Sequence, residues 1–350
     1  MHIPDGYLSP QTCGVAFAIA VPTLAVAARK VKRVVKTRHV PTLALFSAVS
    51  FLVMMFNIPI PDGTTAHAVG GAVVAIVLGP WAAMISVSVA LLFQALLFGD
   101  GGVLAYGANV LNIAIVMPLV AYGVYKLISG RAELTSARRV VAGAVAGYVS
   151  LTAAAVLTGI ELGIQPDLFH DASGTPLYSP YHLAQTIPAM LLAHLLVAGV
   201  AEAALTAGVI LYLQRANLPL FQVNHPGIGV EATTERRRFR PIVVAGIAVG
   251  IMTLLTPLGL LAPGGAFGED APEDLNLGSL GLSAVPEGLN RYAGFWQHAI
   301  FSGYELGGET HPWVGYVLSA VIGIVVVGVV VFLIGKAVEA FSRRDTLEKV

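Results

Sequence analysis

One cysteine, Cys13, stands in a chain of 350 residues. That excludes a disulfide within the chain and any site built from several thiolates; Cys13 is expected to pack as a small apolar residue in the first helix. Charge is equally scarce, because Asp, Glu, Lys and Arg together make up 11% of the sequence and cancel to a formal net charge of zero. A soluble domain carries roughly 25% charged residues, and a nucleic-acid binder gathers Lys and Arg into a basic stripe. Neither pattern is present, so no nucleic-acid partner is expected. The P-loop pattern is also missing, which argues against ATP hydrolysis by that chemistry. What is abundant is apolar: 56% of the residues, the composition of a polytopic membrane protein whose surroundings are lipid.

A hydrocarbon core about 30 Å thick takes roughly 20 apolar helical residues to cross. Nine apolar runs qualify as candidates: 12–28, 41–56, 66–80, 81–98, 103–125, 140–160, 186–212, 241–261 and 313–335. The third starts with Thr65 and His67 and contains Gly70-Gly71. It is expected to be broken or partly re-entrant, which is tolerated where backbone faces protein or a cavity. The expected fold is therefore all-α, with about seven helices in the core, a two-helix C-terminal hairpin, and the N-terminus outside.

The basic residues support that orientation. If every run crosses once from an outer N-terminus, the inner segments hold Arg29, Lys30, Lys32, Arg33, Lys36 and Arg38; Lys126, Arg131, Arg138 and Arg139; Arg215, Arg236, Arg237, Arg238 and Arg240; and Lys336, Arg343, Arg344 and Lys349. Only Arg291 of the 20 basic residues is left outside. There is no basic leader ahead of the first run, so that span is expected to be retained rather than cleaved. The chain divides into a membrane unit at 1–212, a polar inner linker at 213–240, and a hairpin at 241–350. The hairpin's outer loop, 262–312, carries Glu269, Asp270, Glu273, Asp274, Glu287, Glu305 and Glu309. It reads either as a solvated acidic connection or as a collector of cations near an outer site.

The chain begins Met1-His2-Ile3-Pro4-Asp5-Gly6. A free α-amine, the His2 amide nitrogen and the His2 Nδ1 can close two fused chelate rings on one cation, which only a true N-terminus permits; otherwise His2 is a frayed terminal residue. His67 lies on the same expected side and would add a fourth nitrogen. Four nitrogens in a plane suit Ni(II) or Cu(II), and the geometry leans to nickel without excluding cobalt. Asn57, Asn109 and Asn112 are candidates to line the cavity or to bond between helices. Glu202 is the one carboxylate placed deep among apolar residues, in the same run as His194, and is either functional or a paired helix contact. The glycines of Gln94-Ala-Leu-Leu-Phe-Gly-Asp-Gly-Gly102 permit close backbone approach.

Five blocks in order resemble the CbiM/NikM family: Met-His-Ile-Pro-Asp-Gly at 1–6, the Pro-x-Pro-x-Gly-Thr-x-x-His pattern ending at His67, Leu-Gly-Pro-Trp at 78–81, the 94–102 segment, and Glu-Ala-Ala-Leu-Thr at 202–206. That family comprises the substrate-specificity components of energy-coupling factor transporters for cobalt and nickel. The resemblance covers about residues 1–212. The C-terminal hairpin resembles the accessory component CbiN or NikN, or a PDGLE domain, although Pro286-Glu-Gly-Leu-Asn290 differs from Pro-Asp-Gly-Leu-Glu at both acidic positions. The resemblance implies a metal held by the Met1 amine, the His2 amide and imidazole, and His67, with Ni(II) or Co(II) as transported substrate. It also implies a CbiQ/NikQ-like T component, CbiO/NikO-like ATPase subunits, and a prokaryotic inner membrane. Two other readings are a metal-responsive receptor and a proton-coupled transporter using Glu202 and His194. The first lacks an output domain and the second lacks a convincing inverted repeat.

Overall fold

The computed structural model describes residues 1–34, 40–60, 65–225, 227–228, 241–261, 266–305 and 311–347. The architecture is all-α and polytopic. In chain order the helices of eight or more residues are α1 (Pro10–Val34), α2 (Val40–Met54), α3 (Gly71–Leu78), α4 (Pro80–Phe98), α5 (Tyr106–Ser129), α6 (Ala137–Gly163), α7 (Leu183–Ala216), α8 (Pro241–Leu255) and α9 (Pro312–Leu347). Six of them, α1, α4, α5, α6, α7 and α9, are long and apolar enough to cross a membrane. The irregular segments 1–9, 99–105 and 169–182 and the loop before α9 gather at one end of the bundle, where they bond to one another.

The third apolar run departs from a simple span as its sequence anticipates. Its start is irregular and follows a short antiparallel pair, β1 (Ile58–Pro59) and β2 (Thr65–Ala66), with Ile58 opposite Ala66 and Pro59 opposite Thr65. Helix begins only at Gly71 and stops at Leu78, about 12 Å of rise at 1.5 Å per residue. All eight residues of α3 are buried, as a helix apolar on every face requires. Gly79, at φ 93°, ends it, and Pro80 opens α4 at the first helical position, where its missing N–H costs nothing.

Three helices carry a single wide turn with i→i+5 bonding: Gln94–Phe98 in α4, Val110–Val116 in α5 and His194–Ala198 in α7. Such turns are uncommon and often mark functional positions. Each one here begins at or just after a residue singled out from the sequence. The run expected over 241–261 is α-helical only to Leu255, continuing as a tighter turn over Thr256–Leu261. The hairpin joins the bundle through α9, which packs along α2 with Gly323 against the Phe51 ring.

The start of the expected polar linker is packed rather than free. Phe221 is fully buried, and the Asn224 amide donates to the carbonyls of Ala75 and Ile76 at the end of α3. Asp62 and Gly63, Lys36 and Arg38, Arg236, Arg237, Arg238 and Arg240, Glu309 and Lys349 lie outside the described residues. Cys13 is buried on α1 beside Leu8 and Ala16, the apolar packing expected of it.

Candidate metal centre

Chain ends usually fray, yet Met1, His2 and Ile3 are each less than 5% exposed. The cause is a set of backbone clamps. Asn109 brackets Ile3, its Oδ1 accepting the Ile3 N–H at 2.8 Å and its Nδ2 donating to the Ile3 carbonyl at 3.0 Å. Gly102 N–H donates to that same carbonyl at 2.8 Å. Asp5 accepts the N–H groups of Val103, Leu104 and Ala105 at 3.1, 2.8 and 3.2 Å, an anion set just ahead of the first turn of α5. Burial still pushes its carboxyl above the ordinary range, because those three donors only partly offset the lost hydration. A Cβ on Gly102 would run into Asp5 Oδ1, so this close approach needs glycine.

The clamps deliver His2 to His67. Their rings stack with centroids 4.9 Å apart and planes inclined 26°, and both residues are buried. His67 Nδ1 lies 3.0 Å from the Ala68 carbonyl. A carbonyl only accepts, so this contact places the proton on Nδ1 and the lone pair on Nε2. His2 Nδ1 lies 2.8 Å from Asp100 Oδ1. The Nε2 atoms of both histidines are buried without a hydrogen-bond partner. Buried polar atoms are nearly always paired, so two orphan imidazole nitrogens side by side are a specific signal. Among the described residues no three His, Cys, Asp or Glu side chains group as a metal site; the amine-amide-imidazole chelate needs only two side chains.

Asp100 is the hub of the outer turn. Its Oδ2 accepts from Tyr304 Oη and from Gln94 Nε2, the latter at 3.2 Å. Burial works to raise its carboxyl, but the charge and hydrogen bond of the His2 imidazole and the Tyr304 hydroxyl outweigh it and hold the carboxyl below the ordinary range. Glu202 shapes the site from the other side. Its Oε2 accepts the N–H groups of Val69 and Gly70, each at 2.8 Å, and Oε1 takes that of Ala72 at 3.4 Å. The carboxylate thus occupies the N-terminus of α3 and pins the turn that follows His67.

The remaining candidates separate. Asn112 donates to Thr158 Oγ1 at 3.1 Å and to Glu161 Oε2 at 2.6 Å, an interhelical role. His194 Nδ1 lies 2.8 Å from the Met190 carbonyl and its Nε2 is a further buried orphan, in a wide turn packed against β2. Asn57 is half-buried at the end of α2, its backbone against Gly259. Glu202 is the one deep carboxylate that the sequence suggests; Glu161, 8% exposed near the end of α6 and just past the apolar run ending at 160, is a second. Asp5, Asp100 and Tyr304 carry no site assignment from the sequence, Gln94 only a place in the glycine-bearing motif, and Glu269 only a place in the acidic loop. Asp100, lying between glycines in a motif already marked for close backbone approach, had the clearest signal.

The outer loop of the hairpin is not merely a solvated connection. Glu269 Oε1 sits 2.7 Å from the ammonium of the buried Met1. Tyr7 Oη donates to the Asp270 carbonyl at 2.9 Å, and Trp296 Nε1 and Phe301 N–H donate to the carbonyls of Leu96 and Leu97 at 2.9 and 2.8 Å. In the Pro286–Asn290 motif, Pro286, Gly288 and Leu289 are buried, whereas Glu287 and Asn290 are exposed. The two positions that depart from the expected acidic pattern face away from the packing.

Residues 2–220 match the family CbiM, cobalt uptake substrate-specific transmembrane region. The fused nickel transport protein NikMN of Rhodobacter capsulatus is 46% identical over 339 residues, covering 93% of this chain and 95% of that protein. The cobalt transport protein CbiM of Ruminiclostridium cellulolyticum is 31% identical over 181 residues, covering 51% of this chain and 70% of that protein. A solved structure of a transition metal transporter is 54% identical, covers 63% of this chain and 96% of its own, and superposes with a TM-score of 0.58.

Proposed function

The chain belongs to the CbiM family of cobalt-uptake substrate-specific transmembrane proteins, and from that footing we propose that it is the metal-capturing component of an energy-coupled importer for nickel or cobalt. Its N-terminal unit carries the metal site, and residues 241–350 form a fused accessory hairpin of the CbiN/NikN kind. The similarity to fused NikMN across 93% of the chain supports that division.

One observation carries the proposal: a buried chain terminus brings the Met1 amine, His2 and His67 to one end of the bundle, with the His2 and His67 rings stacked and the His67 Nε2 unpartnered. The substrate cation would bind the Met1 amine, the His2 amide and Nδ1, and His67 Nε2, the nitrogen set suited to Ni(II). His67 already presents its lone pair from Nε2. Met1 and His2 Nδ1 are held by carboxylates in this arrangement, so seating the chelate requires both to exchange partners. The positive-inside distribution supports reading this end as the outer one. Transport then requires a T component and two ATPase subunits, supplied by separate chains. Glu202 has three backbone donors, which favours a positioning role over proton coupling.

The test is metal binding by the purified full chain, Ni(II) and Co(II) compared, with a native terminus and with one residue added before Met1. The extension converts the amine to an amide and is expected to abolish tight binding. Tight binding by the extended chain overturns the terminal chelate. Metal uptake in cells should in addition require the ATPase partners; uptake without them would favour a proton-coupled carrier.

A further inference from the structure

The hairpin reaches the proposed chelate at a single atom pair that its sequence does not announce. Glu269 lies 268 residues from Met1, yet its Oε1 is 2.7 Å from the terminal nitrogen. The pair is asymmetric in exposure: Met1 is 4% exposed and the Glu269 side chain 22%. Met1 is therefore enclosed by the bundle, whereas the carboxylate reaches its nitrogen from the solvent-facing loop. Neighbouring bonds fix the loop there, since Glu269 N–H donates to the Ala266 carbonyl at 3.0 Å and the next residue accepts Tyr7 Oη through its carbonyl. A second contact from the same unit runs through Tyr304 to Asp100, whose other oxygen holds His2 Nδ1.

We infer that Glu269 is the residue through which the fused C-terminal unit governs metal affinity, by competing with the cation for the Met1 nitrogen. The argument rests on the chelate described under Proposed function. The nitrogen cannot keep its full ammonium ion pair with Glu269 and bind the cation at once. As an ammonium it gives Glu269 a charged donor; as a metal ligand it offers its lone pair, one proton having passed to water, and keeps only two neutral N–H groups, so the carboxylate loses the ion pair. A buried ammonium left without Glu269 would be costly, so the loop stabilises the chain when the nitrogen carries no metal, and the reverse exchange assists release. The unit thereby acts as a latch on the terminal nitrogen, with Tyr304 holding the adjoining imidazole through Asp100.

The experiment uses the full chain with its native terminus in detergent, Ni(II) as the probe, and equilibrium titration at one fixed pH. Glu269→Gln removes the charge while keeping the length and is expected to bind Ni(II) about tenfold tighter, the scale of one charge-assisted hydrogen bond converted to affinity. Ni(II) transfer to an external chelator should slow by a similar factor. Glu269→Asp, which retains the charge on a shorter stem, should fall between the two and keeps the question open to measurement if the Gln variant fails to fold. A folded Gln or Asp variant with unchanged or weaker Ni(II) affinity overturns the competition, since a merely structural contact would loosen binding when broken. The chain extended before Met1 separates the two failures. If it still binds tightly, the chelate itself is wrong; if it loses binding while Glu269→Gln matches the native chain, only the latch is wrong.

Discussion

The Glu202 carboxylate meets the Gly70 backbone N–H at 2.8 Å from 132 residues away. That contact, with those to Val69 and Ala72, decides where α3 starts and therefore where His67 is held. Glu202→Ala leaves three buried N–H groups unpaired. At about 1–3 kcal/mol for each buried group left unsatisfied, the variant should lose at least about 3 kcal/mol of stability and bind Ni(II) at least tenfold more weakly. Melting in detergent and equilibrium titration measure the two effects; native affinity in the Ala variant would refute the positioning role.

Asp100 makes stability depend on acid. Its folded value is held below the ordinary carboxylate range by His2 and Tyr304, so its contribution is fully present above the unfolded value of about 3.9 and is lost as pH falls through the lower folded value. Melting temperature should drop below about pH 4. Asp100→Asn should flatten that part of the profile and lower the melting temperature at neutral pH. A profile of unchanged slope in the variant would assign the acid sensitivity elsewhere.

Gly102→Ala places a methyl group against Asp5 Oδ1. Displacing Asp5 strips partners from Val103, Leu104 and Ala105, with an expected cost on the order of 2 kcal/mol. Because the same segment carries Met1 and His2, Ni(II) binding should weaken together with protection of the N-terminal residues from hydrogen exchange. Weakened binding with native protection of that segment would contradict the coupling.

The Pro286–Asn290 motif separates packing from charge. Leu289 is fully buried and its N–H donates to the Leu177 carbonyl at 3.1 Å, so Leu289→Ala should destabilise the loop's docking by about 3 kcal/mol. Glu287→Gln, at an exposed position, should stay within about 0.5 kcal/mol of the parent. Limited proteolysis of the 266–305 segment distinguishes them. Equal sensitivity of the two variants would show that the motif acts through its carboxylate after all.

Much of this protein is legible from local pattern, because membrane helices announce themselves by length and apolarity. The nine runs all have helical counterparts, and the glycine pair and polar residues of 66–80 mark the break: Gly70 and the polar residues before it precede the helix, which starts at Gly71. Close approach at 99–102 was readable from its glycines, and Gly102 N–H does reach Ile3. The polar partners were harder. Asp100, Glu269 and Tyr304 lie in loops whose composition reads as solvated, and Glu161 lies just past the apolar run that marks its helix. Only the folded chain shows that each turns inward.

By itself the sequence determined the class of the molecule, the places where its helices run, and the candidate site residues at 1–6, 67 and 202, since hydrophobic length and family motifs are written locally. Which atoms those residues meet was decided by tertiary structure alone. A buried terminus, a stacked His2–His67 pair, a carboxylate at the start of α3 and a Glu269 contact to Met1 all join segments about 65 to 270 residues apart. Desolvation makes each such polar contact either paired or costly, and no local pattern of side chains specifies which distant group will supply the partner.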